Sequence, residues 1–280
     1  MITSATLFTG NLGLEQEKMG PLVFFPYIPF IAGDVVSIVG SGGKTTLMYH
    51  LAHELVKKGN KVITTTTTKI FPPHPSESPQ LILSDKEEVL LNKTQKLIQK
   101  EKHVTIAESF IGPKLKGLPP TFIDKIQKQK IADVILVEAD GAKHCPLKAP
   151  NENEPVIPSS TTWTLPVVGL DGVGKINTKE YVFRPNYFSR LTGIKEGEII
   201  TPDSVAKVIL HPEGLVRGTP IKARILPILN KGEIEGGLDV GTKLALLILE
   251  ARRISIVKIL ITSLKPTPKV LMVFNPDQAM

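Results

Sequence analysis

Residues 34–68, DVVSIVGSGGKTTLMYHLAHELVKKGNKVITTTTT, constrain the fold more than any other stretch. DVVSIVG is a short apolar run ending in glycine, the pattern of a buried strand. Leu47, Met48, Leu51, Leu55 and Val56 then recur at helical spacing, and Gly59 supplies a C-terminal stop. KVITTTTT is β-branched almost throughout and reads as the next strand. Strand, glycine loop, helix, strand is the order of a parallel sheet joined by right-handed crossovers.

The alternation continues to the end of the chain. QLILS, HVTIAES, ADVILVEAD, WTLPVVGL, RILPILNK, SIVKILITSL and KVLMVF read as strands. DKEEVLLNKTQKLIQK, PPTFIDKIQKQK, the patterns around 186–191 and 204–210, and TKLALLILEARR read as helices. GAKHCPLKAPNENEPVIPSS is a long irregular stretch between them. The expected fold is α/β, a mostly parallel, P-loop NTPase-like sheet flanked by helices, in one domain over 1–280. Residues 1–32, with the patch PLVFFPYIPF, are expected to pack on that core or to add an edge strand.

VGSGGKTT (Val39–Thr46) carries the chemistry. The long phosphate loop, G-x-x-x-x-G-K-[ST], would need its first glycine at position 38, which is Ile. Gly40 instead opens a shorter turn, with Gly42 and Gly43 completing three glycines ahead of Lys44. This G-x-x-G-K-T-T form resembles the shortened loop of the Mur ligases. A helix N-terminus offers unpaired N–H groups and partial positive charge, and glycines let successive amides face one anion. Gly40, Ser41, Gly42, Gly43, Lys44, Thr45 and Thr46 are therefore assigned to triphosphate binding, ATP or GTP. Lys44 would reach the β- and γ-phosphates, and the Thr45 hydroxyl would ligate Mg²⁺.

VILVEADG places Glu138 and Asp140 at the end of an apolar strand, where a second acidic motif holds Mg²⁺. If the strand continues past Ala139, alternation sends them to opposite sides, one toward the metal and one toward the attacking group. Lys44, Glu138 and Asp140 are the catalytic candidates, and Thr45, Glu138 and Asp140 the metal candidates. Thr64 to Lys69 ends a strand where ligands gather, so Thr66, Thr67, Thr68 and Lys69 are candidates for substrate contact, with packing as the plain alternative. Lys143, Lys148 and Arg184 complete the acceptor side. LNKGE (Leu229–Glu233) is one methylene from the N-K-x-D guanine reader of GTPases, with a polar turn after a strand as the plain alternative; as a reader it would put Asn230 beside the base with weak discrimination between ATP and GTP. Cys145 has Lys143, His144 and Lys148 nearby, which would lower a thiol pKa, yet a lone cysteine is more often a bystander.

Composition excludes more than it selects. Hydrophobic content is 41% and charged content 22%, ordinary for a globular chain. A single cysteine rules out an internal disulfide framework and suits the cytoplasm. No apolar run approaches a membrane span, and the first twenty residues lack the basic flank and apolar core of a leader. Much of the net charge of +7 lies on apparent exposed helices between Lys86 and Lys130, without interleaved aromatics, so neither nucleic acid nor membrane is expected as partner.

The blocks VVSIVGSGGKTTLMYHLAHELVKKGNKVITTTTTKIFPP, VEADGAKHCPLKAPNENEPVIP and GLDGVGK together resemble the YqeC-type accessory proteins of selenium-dependent molybdenum hydroxylases. The resemblance runs from about residue 20 to 265. It implies a nucleotide-dependent role in maturing such an enzyme or inserting its selenium cofactor, with the hydroxylase or that cofactor as partner. One departure is Phe183 in Val182-Phe183-Arg184-Pro185, where the family has histidine. The alternatives are a Mur-like ligase or small-molecule kinase, and a nucleotide-switched chaperone without transfer chemistry.

Overall fold

The computed structural model describes residues 23–251 and 255–276. β1 (Asp34–Gly40) leads through three residues into α1 (Lys44–Lys57), and β2 (Val62–Thr66) follows. Next come β3 (Lys69–Ile70), β4 (Leu81–Leu83), α2 (Glu87–Glu101), β5 (His103–Ala107), β6 (Ser109–Ile111), β7 (Lys114–Lys116), α3 (Pro120–Lys128) and β8 (Val134–Glu138). The chain continues through β9 (Leu147–Lys148), β10 (Trp163–Gly169), β11 (Val182–Phe183), α4 (Pro185–Thr192), α5 (Pro202–Leu210), β12 (Arg224–Ile225), β13 (Ile228–Asn230), α6 (Gly237–Glu250), β14 (Ile259–Ser263) and β15 (Lys269–Phe274).

The main sheet has the order β15-β14-β13-β10-β1-β8-β2-β5-β4, with β12 beside β10. Every pairing is parallel except β14 with β15. The expected α/β fold with a mostly parallel sheet is therefore what the chain forms. β1 and β2 are not neighbours, because β8 inserts between them. Strands β2, β5 and β4 lie beyond β8, whereas β10, β13 and β14 lie on the other side of β1. The progression of strands thus reverses at β1, and the ends of strands at such a switch point are where open α/β sheets bind ligands.

Strand residues alternate between two apolar layers. Val35, Val39, Ile135, Val137 and Val168 face one layer, covered by α2 to α6. Val36, Ile38, Val134, Leu136, Leu165 and Val167 face the other, covered by Leu47, Met48, Leu51 and Leu55 of α1. Burial on both faces is why these strands read as continuous apolar runs.

The described part of the N-terminal segment forms no strand. Phe24, Ile28 and Phe30 pack into the α1 layer, and the Phe30 ring meets Trp163 edge-on at 5.5 Å. Residues 1–22 lie outside the described residues. RILPILNK is not one strand, because Pro227 separates β12 from β13. α6 begins at Gly237, five residues ahead of the TKLALLILEARR run. Two small sheets, β3-β7-β6 and β9-β11, have strands too short for any periodicity to show.

Candidate phosphate-binding site

The turn between β1 and α1 is built on glycines. Gly40, Gly42 and Gly43 have φ of +92°, +82° and +137°. A Cβ at Gly40 would overlap the Val167 carbonyl, and one at Gly42 the backbone of Gly169. The loop is thereby pressed against the end of β10. The Ser41 amide donates to Val167 O at 2.8 Å, and its hydroxyl donates to Cys145 O. At the start of α1 no side chain caps Gly43 and no acid occupies the first turn. The first-turn amides, which have no intrahelical acceptor, thus keep their positive field.

Lys44 turns back over this loop. Its Nζ donates to Gly40 O at 2.8 Å and lies 3.1 Å from Asp140 Oδ1 and 3.5 Å from Glu138 Oε1. Burial opposes charge on the ammonium, but Asp140 and Glu138 outweigh it and hold the pKa above the usual lysine value. Lys44 is a cation at any physiological pH. Thr45 Oγ1 donates to Glu138 Oε2 at 2.6 Å. The two acids do not take opposite sides. β8 stops at Glu138, alternation ends with it, and both carboxylates converge on Lys44.

Asp140 is the better enclosed of the pair, with no exposed surface. Its Oδ2 accepts from Gly40 N at 2.8 Å and faces Lys148 Nζ at 2.9 Å. Its Oδ1 meets Lys44 without hydrogen-bond geometry. Lys148 is equally enclosed and donates to Gly141 O at 2.6 Å and to Glu154 Oε2 at 2.7 Å. Arg184 Nη1 donates to the same Glu154 oxygen at 2.6 Å. Burial works against Glu154 ionisation, but Arg184 and Lys148 overcome it and keep the carboxyl below its usual range. A continuous charge chain, Lys44–Asp140–Lys148–Glu154–Arg184, therefore runs from the loop toward α4.

The comparisons with known proteins can be set against this geometry. The family described as YqeC protein matches residues 36–186, more than half of the chain. A relative from Escherichia coli (strain K12), the uncharacterized protein YqeC, is 33% identical over 197 residues, which are 70% of this chain and 75% of the relative. The chain belongs to the YqeC family. Among solved structures, FtsY from Mycoplasma mycoides matches with a TM-score of 0.33 and 14% identity, covering 88% of this chain and 65% of that one. A likeness that weak supports no statement about this chain. The YqeC match takes in the whole charge chain from the glycine loop to Arg184 and ends before Asn230.

Within that YqeC region the other sequence candidates divide. The Thr66 hydroxyl donates to Glu138 O at 2.7 Å, and the Thr67 hydroxyl to Val156 O at 2.7 Å. These threonines stitch β2 to β8 and to the 150s loop. Thr68 N donates to Thr66 Oγ1 at 3.0 Å, and Lys69 is exposed. Lys143 and His144 have φ of +46° and +63°, a backbone region costly for residues with side chains. Lys143 Nζ sits 5.4 Å over the Phe183 ring, and His144 stacks on Phe71. Thr46 is half-buried in the first turn of α1. Cys145 is buried, which raises its thiol pKa, while Lys143 offsets this only in part. The activation expected from its basic neighbours is absent because burial wins and Lys148 is spent on Asp140 and Glu154.

Glu154 was not among the sequence candidates, although it stands inside the family block NENEPVIP. Asp171, in GLDGVGK, was likewise passed over. It ion-pairs with Lys231, and its Oδ1 is buried without a hydrogen-bond partner. Asn230 lies outside the family match, yet its Nδ2 donates to Gly42 O at 2.7 Å.

The donor set fits a magnesium ion. A hydroxyl and two carboxylates are hard oxygen ligands, and Mg²⁺ takes one or two protein carboxylates and completes its shell with water and phosphate oxygens. Among the described residues no group of three or more His, Cys, Asp or Glu is placed to hold a metal ion. Among the described residues, too, no helix is long and apolar enough to cross a membrane.

Proposed function

We propose that the chain binds a nucleoside triphosphate, ATP or GTP, and couples its hydrolysis or transfer to maturation of a selenium-dependent molybdenum hydroxylase. The observation that carries the nucleotide part is the convergence of Lys44, Thr45, Glu138 and Asp140 at the uncapped start of α1. The hydroxylase part rests on the sequence resemblance alone.

In this reading Lys44 exchanges its contacts to Gly40 O and the two acids for phosphate oxygens. Its permanent charge then offsets charge developing on the transferred phosphoryl group. Thr45 Oγ1 and Glu138 would hold Mg²⁺, which when bound polarises the phosphoryl oxygens. Asp140 ties the Gly40 amide, Lys44 and Lys148 together and keeps the loop in shape for the phosphates. Lys69 and Lys143 reach solvent and are the candidates for contact with an acceptor. Lys148 and Arg184 support that side through Glu154 rather than by meeting the acceptor directly.

Calorimetric titration of MgATP and MgGTP into the wild type and Lys44→Ala tests the reading. Binding by the wild type and loss of both nucleotides in a folded variant is the expected result. Unchanged affinity in the variant overturns it. Complementation of hydroxylase activity in a strain lacking the protein, with wild type and Lys44→Ala compared, tests the maturation role separately.

A further inference from the structure

Asn230 does more than mark the end of β13. Its side chain is buried, with Nδ2 donating to Gly42 O at 2.7 Å and Oδ1 accepting from Leu264 N at 3.1 Å and Thr262 Oγ1 at 3.3 Å. One amide thus clips the phosphate loop to the ends of β13 and β14. Gly43 makes room for the clip, since a Cβ there would stand 2.7 Å from Asn230 Nδ2 and 3.0 Å from Leu264 Cδ1.

The turn that follows is held in place. Lys231 has φ +69°, unusual for a residue with a side chain, and is pinned by its ion pair with Asp171. Gly232 lies flush against β14, donating to Thr262 O at 3.0 Å where a Cβ would overlap the Ile261 side chain. The next residue, Glu233, is exposed, and its carboxylate makes no hydrogen bond or ion pair among the described residues. The turn therefore presents two uncommitted carboxylates to solvent, Glu233 and Glu235, and Glu233 is the one that directly follows the pinned Lys231–Gly232 pair at the end of β13.

Its position relative to the phosphate loop is informative. β13 stands two strands from β1 in the sheet, a displacement of about 10 Å at the usual strand spacing. A triphosphate seated on the loop would carry its base across that distance along the strand ends. We infer that the turns after β13 and β14 seat the nucleobase, and that Glu233 is its specificity-determining residue, favouring guanine. Guanine offers N1–H and the 2-amino group side by side, two donors for one ionised carboxylate. Adenine offers an acceptor at N1, which a carboxylate repels. Glu is one methylene longer than Asp, so the preference is moderate rather than absolute.

The inference rests on the triphosphate reading above, and the experiment separates the two. Full-length wild type, Glu233→Ala and Lys44→Ala are titrated with the Mg²⁺ complexes of GTP, ITP and ATP; ITP differs from GTP only in lacking the 2-amino group. The expected result for the wild type is GTP tighter than ITP by about tenfold, the scale of one charge-assisted hydrogen bond, and ITP, which keeps N1–H, tighter than ATP. Glu233→Ala brings the three nucleotides toward parity, GTP and ITP losing affinity while ATP, freed of the repulsion at N1, keeps or gains it; the retained MgATP binding also shows that the variant is folded. Equal affinities in the wild type, a preference for ATP, or a GTP preference that survives in Glu233→Ala overturns the base seat while leaving the triphosphate reading intact, provided Lys44→Ala still loses all three. If no triphosphate binds, or Lys44→Ala binds like the wild type, the triphosphate reading fails and takes the base seat with it.

Discussion

Glu138 and Asp140 are two residues apart and both face Lys44, yet their surroundings assign them different work. Asp140 is fully enclosed between a backbone amide and two ammonium groups. Removing its charge leaves Lys44 and Lys148 buried beside a neutral amide, and breaking a buried pair from one side costs about 3 kcal/mol or more. Glu138 is held by Thr45 and the outer edge of Lys44, and it keeps slight access to solvent. Asp140→Asn is therefore predicted to lower the denaturant midpoint strongly. Glu138→Gln is predicted to leave the midpoint near wild type and to reduce nucleotide turnover on the order of 10²-fold, as loss of a metal-holding carboxylate would. Denaturant titration and single-turnover kinetics on both variants check this. A stable Asp140→Asn with lost turnover would reverse the two roles.

At the scale of elements, β1, its loop and α1 form a unit whose shape depends on backbone contact with β10. Gly40→Ala places a methyl into the Val167 carbonyl at a φ of +92°, and neither backbone can yield without breaking the Ser41 to Val167 hydrogen bond. Gly33 has a similar φ of +99° but open space around it. Gly33→Ala is predicted to cost only the conformational strain, about 1–2 kcal/mol. Gly40→Ala is predicted to cost more and to abolish triphosphate binding; thermal melts with and without MgGTP distinguish the two. The unit was legible in the sequence because its signals are local: an apolar run, three glycines, Lys-Thr-Thr and helical spacing all fall within twenty-five residues. The position of β8 between β1 and β2 was not, since nothing in either segment encodes a neighbour about a hundred residues away for β1 and about seventy for β2. The enclosure of Lys148 was not legible either, since lysines are usually exposed and only the fold brings Asp140 and Glu154 to both sides of it. Glu138 and Asp140 would diverge only if the strand continued, and β8 stops at Glu138.

Across the whole molecule, the two faces of the sheet are closed by unlike means. Five helices cover one, whereas α1 shares the other with residues 23–30. That segment is fastened by one buried carboxylate: Glu54 of α1 accepts from Val23 N at 2.7 Å, Phe24 N at 2.9 Å and Phe25 N at 3.0 Å. Burial raises the Glu54 pKa, and the three amides only partly restore it. With the folded value above the unfolded one, the pH-dependent part of its contribution is present below the usual carboxylate range and is lost as pH rises through the folded value. The hydrogen bonds themselves persist at neutral pH. Glu54→Ala leaves three backbone donors without an acceptor and frees Phe24 and Ile28 to lift from the α1 layer, a predicted loss of about 2–4 kcal/mol at pH 7. Hydrogen exchange should show lost protection at Phe24, Phe25 and Ile28, ahead of any change in β1 or β8. Glu54 lies ten residues along α1 from Lys44, about 15 Å away, so triphosphate affinity should remain that of the wild type. An unmoved midpoint would mean that the segment rides on the fold without supporting it. A fall in triphosphate affinity would mean that α1 carries strain from the N-terminal anchor to the phosphate loop.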